Sequence, residues 1–252
     1  MPLTQPRRAV RFGAQRAVLA AVAGFIVAVV AYLAPNVTFI PVVALVAAIS
    51  FGWPLLFGSD MHEAHVVVLL IPGLTAVLVA VLTNYSTRWL TLTLAGGVIL
   101  AFVSGLARWG KESSPVGIAA GLVCGQLAVV SAAGWILVTK LSTTAELPLL
   151  GALCIAIGAV SVVARLPVLA GLIAAMTVCA LVGWASAYVL PAVPAWVGAV
   201  IGAFVGGTVA IVQALADGSP HLKAGGASVA AALVPVSVTG LVLFALGRTL
   251  LG

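Results

Sequence analysis

The chain has 252 residues, of which 63% are hydrophobic and 6% charged, at a mean hydropathy of +1.31. Soluble domains carry about 45–50% apolar and about 25% charged residues, because a folded surface has to be wetted. The composition excludes an ordinary soluble domain and implies an integral membrane protein of all-α class, a polytopic bundle of eight or nine transmembrane helices. At about 20 residues per crossing, nine crossings leave too little chain for a nucleotide-binding fold or a soluble receptor module, so any ATP would have to be bound by another polypeptide. Eleven Lys and Arg against five Asp and Glu give a net charge of +6. Four of the cations, Arg7, Arg8, Arg11 and Arg16, precede the first apolar run. They read as a positive-inside signal in contact with anionic headgroups of the bilayer, and nucleic acid is not implied.

Residues 1–16 are expected to form a basic cytoplasmic tail and residues 17–252 a single transmembrane helical domain. The first span covers 17–34 and ends at the turn pair Pro35-Asn36. Its basic start and apolar run mimic a secretory signal, but the chain continues as further spans, so it reads as an uncleaved helix. The second span, 37–57, is interrupted by Pro41 and by Gly52-Trp53-Pro54. The third, 65–83, holds Pro72-Gly73, and the fourth, 89–107, is followed by a polar loop at 108–115. The fifth covers 116–139 and the sixth 147–164. A corner at Arg165-Leu166-Pro167 leads to the seventh, 168–190, and the eighth, 196–216, precedes a polar loop at 217–225. The ninth, 226–247, contains Pro235 and is rich in Gly, Ala and Ser, which leaves both a full crossing and a re-entrant segment open.

With the N-terminus cytoplasmic, the inner segments hold Arg7, Arg8, Arg11, Arg16, Arg108, Lys111, Arg165 and Lys223, and the outer ones Arg88, Lys140 and Arg248. That asymmetry suits short loops in a cell membrane. Tyr85, Trp89, Trp109 and Trp196 fall at span ends, at headgroup depth; Trp135 and Trp184 lie deeper and read as packing between helices.

All five acids (Asp60, Glu63, Glu112, Glu146 and Asp217) fall in predicted loops. Ion-coupled carriers commonly keep an ionisable group inside the membrane as the coupling device, so a carrier of that acidic kind is disfavoured. The segment Asp60-Met61-His62-Glu63-Ala64-His65 places two histidines at i and i+3, whereas a zinc-peptidase helix needs them at i and i+4. With His221 as the third histidine on the same side, a composite site is allowed by the topology. The plainer reading is a solvated turn whose acids face a helix N-terminus, so no catalytic residue, metal or cofactor is assigned and an enzyme is not expected. Cys124, Cys154 and Cys179 lie in apolar runs and read as small packing residues.

Gln126 is the strongest hydrogen-bonding side chain near the centre of a span. It should face the bundle interior, either lining a translocation path or bonding a neighbouring helix. Pro54 and Pro72, like Pro41 and Pro235, free backbone carbonyls within the membrane, a property of broken helices that line carrier cavities. Gly117, Gly121 and Gly125 in the fifth span, and Gly198, Gly202 and Gly206 in the eighth, put small residues on one helix face for close helix packing. The matching spacing suggests a relic of an inverted repeat.

The run Gly52-Trp53-Pro54-Leu55-Leu56, with Gly125-Gln126-Leu127-Ala128 and Gly134-Trp135, resembles a group of small actinobacterial-type multi-pass membrane proteins. Members of that group are designated permeases or membrane proteins of unassigned function, and the likeness extends over the first two thirds of the chain. The resemblance implies a permease but carries no site residue with it. The expected function is a membrane permease or a lipid or small-solute translocase without intramembrane coupling carboxylates. The alternative is an accessory or scaffold subunit, with a membrane-protein partner or a homo-oligomer on its glycine faces.

Overall fold

The structure, a computed structural model, describes residues 6–57, 62–83, 87–106, 115–141, 145–162, 167–217, 222 and 225–251. It is an all-α polytopic bundle: α1 (Pro6–Leu33), α2 (Phe39–Gly52), α3 (His62–Leu82), α4 (Thr87–Leu106), α5 (Pro115–Ser131), α6 (Gly134–Thr139), α7 (Leu147–Val162), α8 (Val168–Ser186), α9 (Ala195–Asp217) and α10 (Gly225–Leu250). Short 3-10 turns at Pro35–Val37 and Pro54–Phe57 flank α2. Among the described residues eight helical stretches are long and apolar enough to cross a membrane, the α5–α6 pair counting as one. The ninth expected span, α7, has 16 residues and measures about 24 Å at 1.5 Å per residue.

Several local expectations are corrected. Pro41 does not interrupt α2, because it lies in the first turn, where a backbone donor has no helical acceptor to lose. The second span is interrupted at Gly52-Trp53-Pro54 as expected: α2 ends at Gly52 and Pro54 opens a separate 3-10 turn. The fifth span is two helices, separated by a turn at Ala132-Ala133. The α1 helix starts at Pro6, so the basic segment from there on is helical. The C-terminal segment is one continuous helix of 26 residues with Pro235 inside it, about 39 Å long, and not a re-entrant hairpin.

Side-chain tethers fix which helix ends lie together. Arg16 Nη2 donates to Asp217 Oδ1 at 2.6 Å, joining the start of α1 to the end of α9. Lys140 Nζ, after α6, donates to the carbonyls of Ala80, Val81 and Thr83 at the end of α3. Glu146, before α7, accepts from the Ala192 backbone in the turn after α8. Two residues joined at one end of a bundle are separated by an even number of passages. Between Arg16 and Asp217 that number is eight only if short α7 is counted, and α7 does run the length. Its Leu147 lies by Gly247 near the end of α10, its Ile155 by Gly24 of α1, and its Gly158 by Val209 of α9. The described residues thus make nine passages.

The helices divide into two groups around one axis. One group is α1, α7, α8 and α9; the other is α2, α3, α4 and the α5–α6 pair. The α10 helix lies between them and packs on members of both, while among the described residues the groups touch each other directly mainly where α1 meets α2 and α6 and where α7 meets α6. Ala230 to Ser237 of α10 are buried without interruption, which requires neighbours on every side of the helix. Close contact is made by glycine: Gly52 of α2 abuts Gly226 and Ala230, and Gly134 of α6 lies backbone to backbone on Gly240. Trp135 then covers Gly240 and donates from Nε1 to the Val236 carbonyl at 2.8 Å, and Ser237 donates to the Ala128 carbonyl of α5.

Candidate functional site

The middles of α3, α4 and α5 converge on one side chain. Pro72 lies inside α3 and has no N–H, so the carbonyl of Val68, one turn earlier, loses its helical donor. Gln126 of α5 reaches that carbonyl with Nε2 at 3.4 Å, a long bond. The residue has 0% exposure, and its Oε1 has no hydrogen-bond partner. Oε1 points at Gly97 of α4: a methyl group there would lie 3.1 Å from Oε1 and 3.1 Å from the Pro72 ring. Gly97 thus makes room for the amide, which sequence reading missed because Gly96-Gly97 has no signature of its own in an apolar helix. The same inward face of α4 continues as Ala101 and Ser104, both buried, and Ser104 is turned onto the Ala101 carbonyl.

Gln126 and Pro72 are therefore brought together, and Pro54 is not with them. Pro54 is buried in the turn after α2, beside Trp53. Trp53 explains the glycines of α5. Its ring lies on Gly125, and its Nε1 donates to the Gly121 carbonyl at 2.8 Å. Gly125 accommodates an indole where a helix backbone was expected, and Gly117 is exposed. The glycines of α9 behave as expected of a packing face. A Cβ at Gly198, Gly202 or Gly206 would run into the backbone of Gly183, Cys179 or Ala175 of α8. The two stripes thus receive different partners, so their shared spacing does not express a common packing role.

Cys154 of α7 and Cys179 of α8 face each other, each thiol directed at the other's carbonyl, with Sγ of Cys179 at 3.4 Å from the Cys154 oxygen. Cys124 is exposed. Trp184 points outward, 49% exposed and edge-on to Tyr188, a correction to its placement between helices. It borders an open apolar groove of about 610 Å³ between α8 and α9, with Met176, Leu181 and Ala203 on its walls.

At the helix ends, Glu63 is in the first turn of α3, where a carboxylate meets the positive end of the helix. His65 is buried, and His62 Nδ1 is buried without a partner. Among the described residues no three of His, Cys, Asp and Glu come together as a metal cluster; Asp60 and His221 lie outside those residues, as do Glu112, Tyr85, Trp109 and Arg165. Gln213 is buried on α9, one turn before Asp217, with Nε2 unpartnered. Burial pushes the Lys140 ammonium below the usual lysine range, and the three α3 carbonyls that it caps were not visible as a site from sequence. Comparison with known protein families, with characterised proteins and with solved structures gives no match to this chain.

Proposed function

We propose that the chain is a permease-like translocase of the cell membrane, moving a small neutral or amphipathic solute. The observation that carries this reading is the division of the bundle into two helix groups that share α10 and little else. Such groups can rock against a common helix and expose the interior to one face and then the other. A buried amide at mid-depth beside a helix that carries an internal proline supports the same reading. The described carboxylates, Glu63, Glu146 and Asp217, stand at helix ends or beside them, so transport is taken as uncoupled from ion gradients or driven by a partner. The basic N-terminus is taken as cytoplasmic.

The test is reconstitution into liposomes, with bilayer flipping of a fluorescent phosphatidylcholine and swelling in small neutral solutes as readouts. Protein-dependent flux of one of them, unchanged by proton and sodium ionophores, is expected. Absence of both fluxes would overturn the reading. A second reading, an accessory subunit, is favoured by the outward apolar face of α8 and its groove. A second polypeptide retained in stoichiometric amount by native mass spectrometry, together with no flux, would establish it.

A further inference from the structure

We infer that the Gln126 amide is a binding point for a hydroxyl-bearing, uncharged amphiphile that arrives from the bilayer past α4. The inference deepens the translocase reading and rests on it for what happens after binding.

Four observations converge. Gln126 Oε1 is an acceptor with no partner and no exposure, and an acceptor buried in that state is costly enough that native interiors seldom keep one. The neighbouring Val68 carbonyl, deprived by Pro72 of its usual helical donor, receives the long 3.4 Å contact from Nε2. The site therefore offers two under-used acceptors to one donor group, which selects a ligand carrying an O–H over one carrying only carbonyl or ether oxygens. No Asp, Glu, Lys or Arg is placed at this depth on α3, α4 or α5, and the buried His65, one turn before Val68, is the titratable group nearest to it along α3, so no side chain of fixed charge is there to offset a formal charge.

The direction of arrival follows from α4. That helix packs chiefly on α3 and α5, and its opposite face, with Leu92, Ile99, Phe102 and Val103, is exposed. In a bilayer that face meets acyl chains, so one helix separates the amide from lipid. Around the amide the inner face of α4 is Gly97, Ala101 and Ser104, small side chains, while Leu90, Leu94 and Leu100 of the same helix pack on the core. Displacing α4 outward uncovers Oε1 to the hydrocarbon, where a lipid's own hydroxyl is the donor at hand.

The probe is dioleoylglycerol carrying a diazirine on one acyl chain, added to the intact protein in phosphatidylcholine nanodiscs. Its methyl ether, which lacks the donor, is the control. Photolabelled peptides are mapped by mass spectrometry. Labelling within α3, α4 and α5 at least ten-fold stronger for the alcohol than for the ether is expected. Unlabelled dioleoylglycerol should compete and aqueous glycerol at equal concentration should not. Gln126→Leu should bring the alcohol down to the level of the ether. The alcohol–ether comparison on the unaltered protein needs no variant, so a Gln126→Leu chain that fails to fold leaves the test standing. Equal labelling by alcohol and ether, labelling confined to the outer face of α8, no labelling, or equal competition by glycerol would each overturn the inference. Flux without this labelling removes the site and keeps the translocase; labelling without flux does the reverse.

Discussion

The α8–α9 seam supplies a quantitative test of the packing. Gly202→Ala puts a Cβ onto the Cys179 carbonyl and the start of the next peptide. The obstacle is backbone, so no rotamer change relieves it. An ordinary carbon–oxygen contact needs about 3.3–3.6 Å, and the helices must part to provide it. Parting them at Gly202 also loosens the contacts at Gly198 and Gly206, which lie one turn away on the same face. Overpacking of this kind costs about 1–3 kcal/mol, and the rigid obstacle places it at the upper end. Ala is better than Gly within a helix by about 1 kcal/mol, which leaves a net loss of about 2 kcal/mol. Gly96→Ala on α4 is the control, since nothing lies within 4 Å of a Cβ there; it should be neutral or stabilise by up to about 1 kcal/mol. Equilibrium unfolding in mixed micelles with increasing dodecyl sulfate, followed by tryptophan fluorescence, compares the two. A gap of about 2–3 kcal/mol is expected; two variants of equal stability would refute backbone-to-backbone packing of α8 on α9.

Four further outcomes are expected. Lys140→Met removes three hydrogen bonds of 2.7, 2.9 and 3.0 Å to the end of α3 and should cost about 1–2 kcal/mol, less than a fully buried charged donor; no loss in the same unfolding assay would contradict the cap. Because burial lowers the Lys140 pKa, the unfolded chain holds that proton more tightly, and this group's contribution to stability should rise with pH across the window just below 10.5. Wild type should then gain stability there relative to Lys140→Met, and a relative loss would reverse the sign. Trp135→Phe takes the Nε1 donor from the Val236 carbonyl and should cost about 1–3 kcal/mol, whereas an unchanged unfolding midpoint would show that α6 is not clasped to α10. A double-mutant cycle on Arg16→Gln and Asp217→Asn should give a coupling of about 1 kcal/mol or less that weakens with salt, since the Asp217 side chain is largely exposed. Zero coupling at low ionic strength would dissolve the tether.

The all-α class and the succession of apolar helices, eight of them among the described residues long enough to cross a membrane, were legible because length and hydropathy dominate the membrane signal. The observed helices start and stop close to the apolar runs, down to α8 beginning at Val168. What failed were inferences from single residues. A proline is a break in one place and a helix start in another: Pro72 orphans a carbonyl, Pro41 costs nothing, and only neighbours reveal the difference. Glycine spacing exposes a flat face without saying what lies on it, hence a helix on Gly202 and an indole on Gly125. Gln126 announced itself by polarity, but its partners, the Val68 carbonyl and Gly97, come from helices distant in sequence. Trp184 and Trp135 have the same composition around them and opposite surroundings, because which face of a uniformly apolar helix turns inward is set by packing and not by pattern. The division around α10 has no local signature, since it resides in which helices touch.

The topology is the claim on which all the rest depends. Single cysteines introduced at residues 4, 146, 217 and 249, in a background lacking Cys124, Cys154 and Cys179, are to be labelled in sealed vesicles with a membrane-impermeant maleimide. Nine passages and the Arg16–Asp217 pair predict that residues 4 and 217 react from one side and residues 146 and 249 from the other. Labelling of residue 217 from the side of residue 146 would mean that α7 does not cross, and the two-group bundle with its midplane site would fall with it.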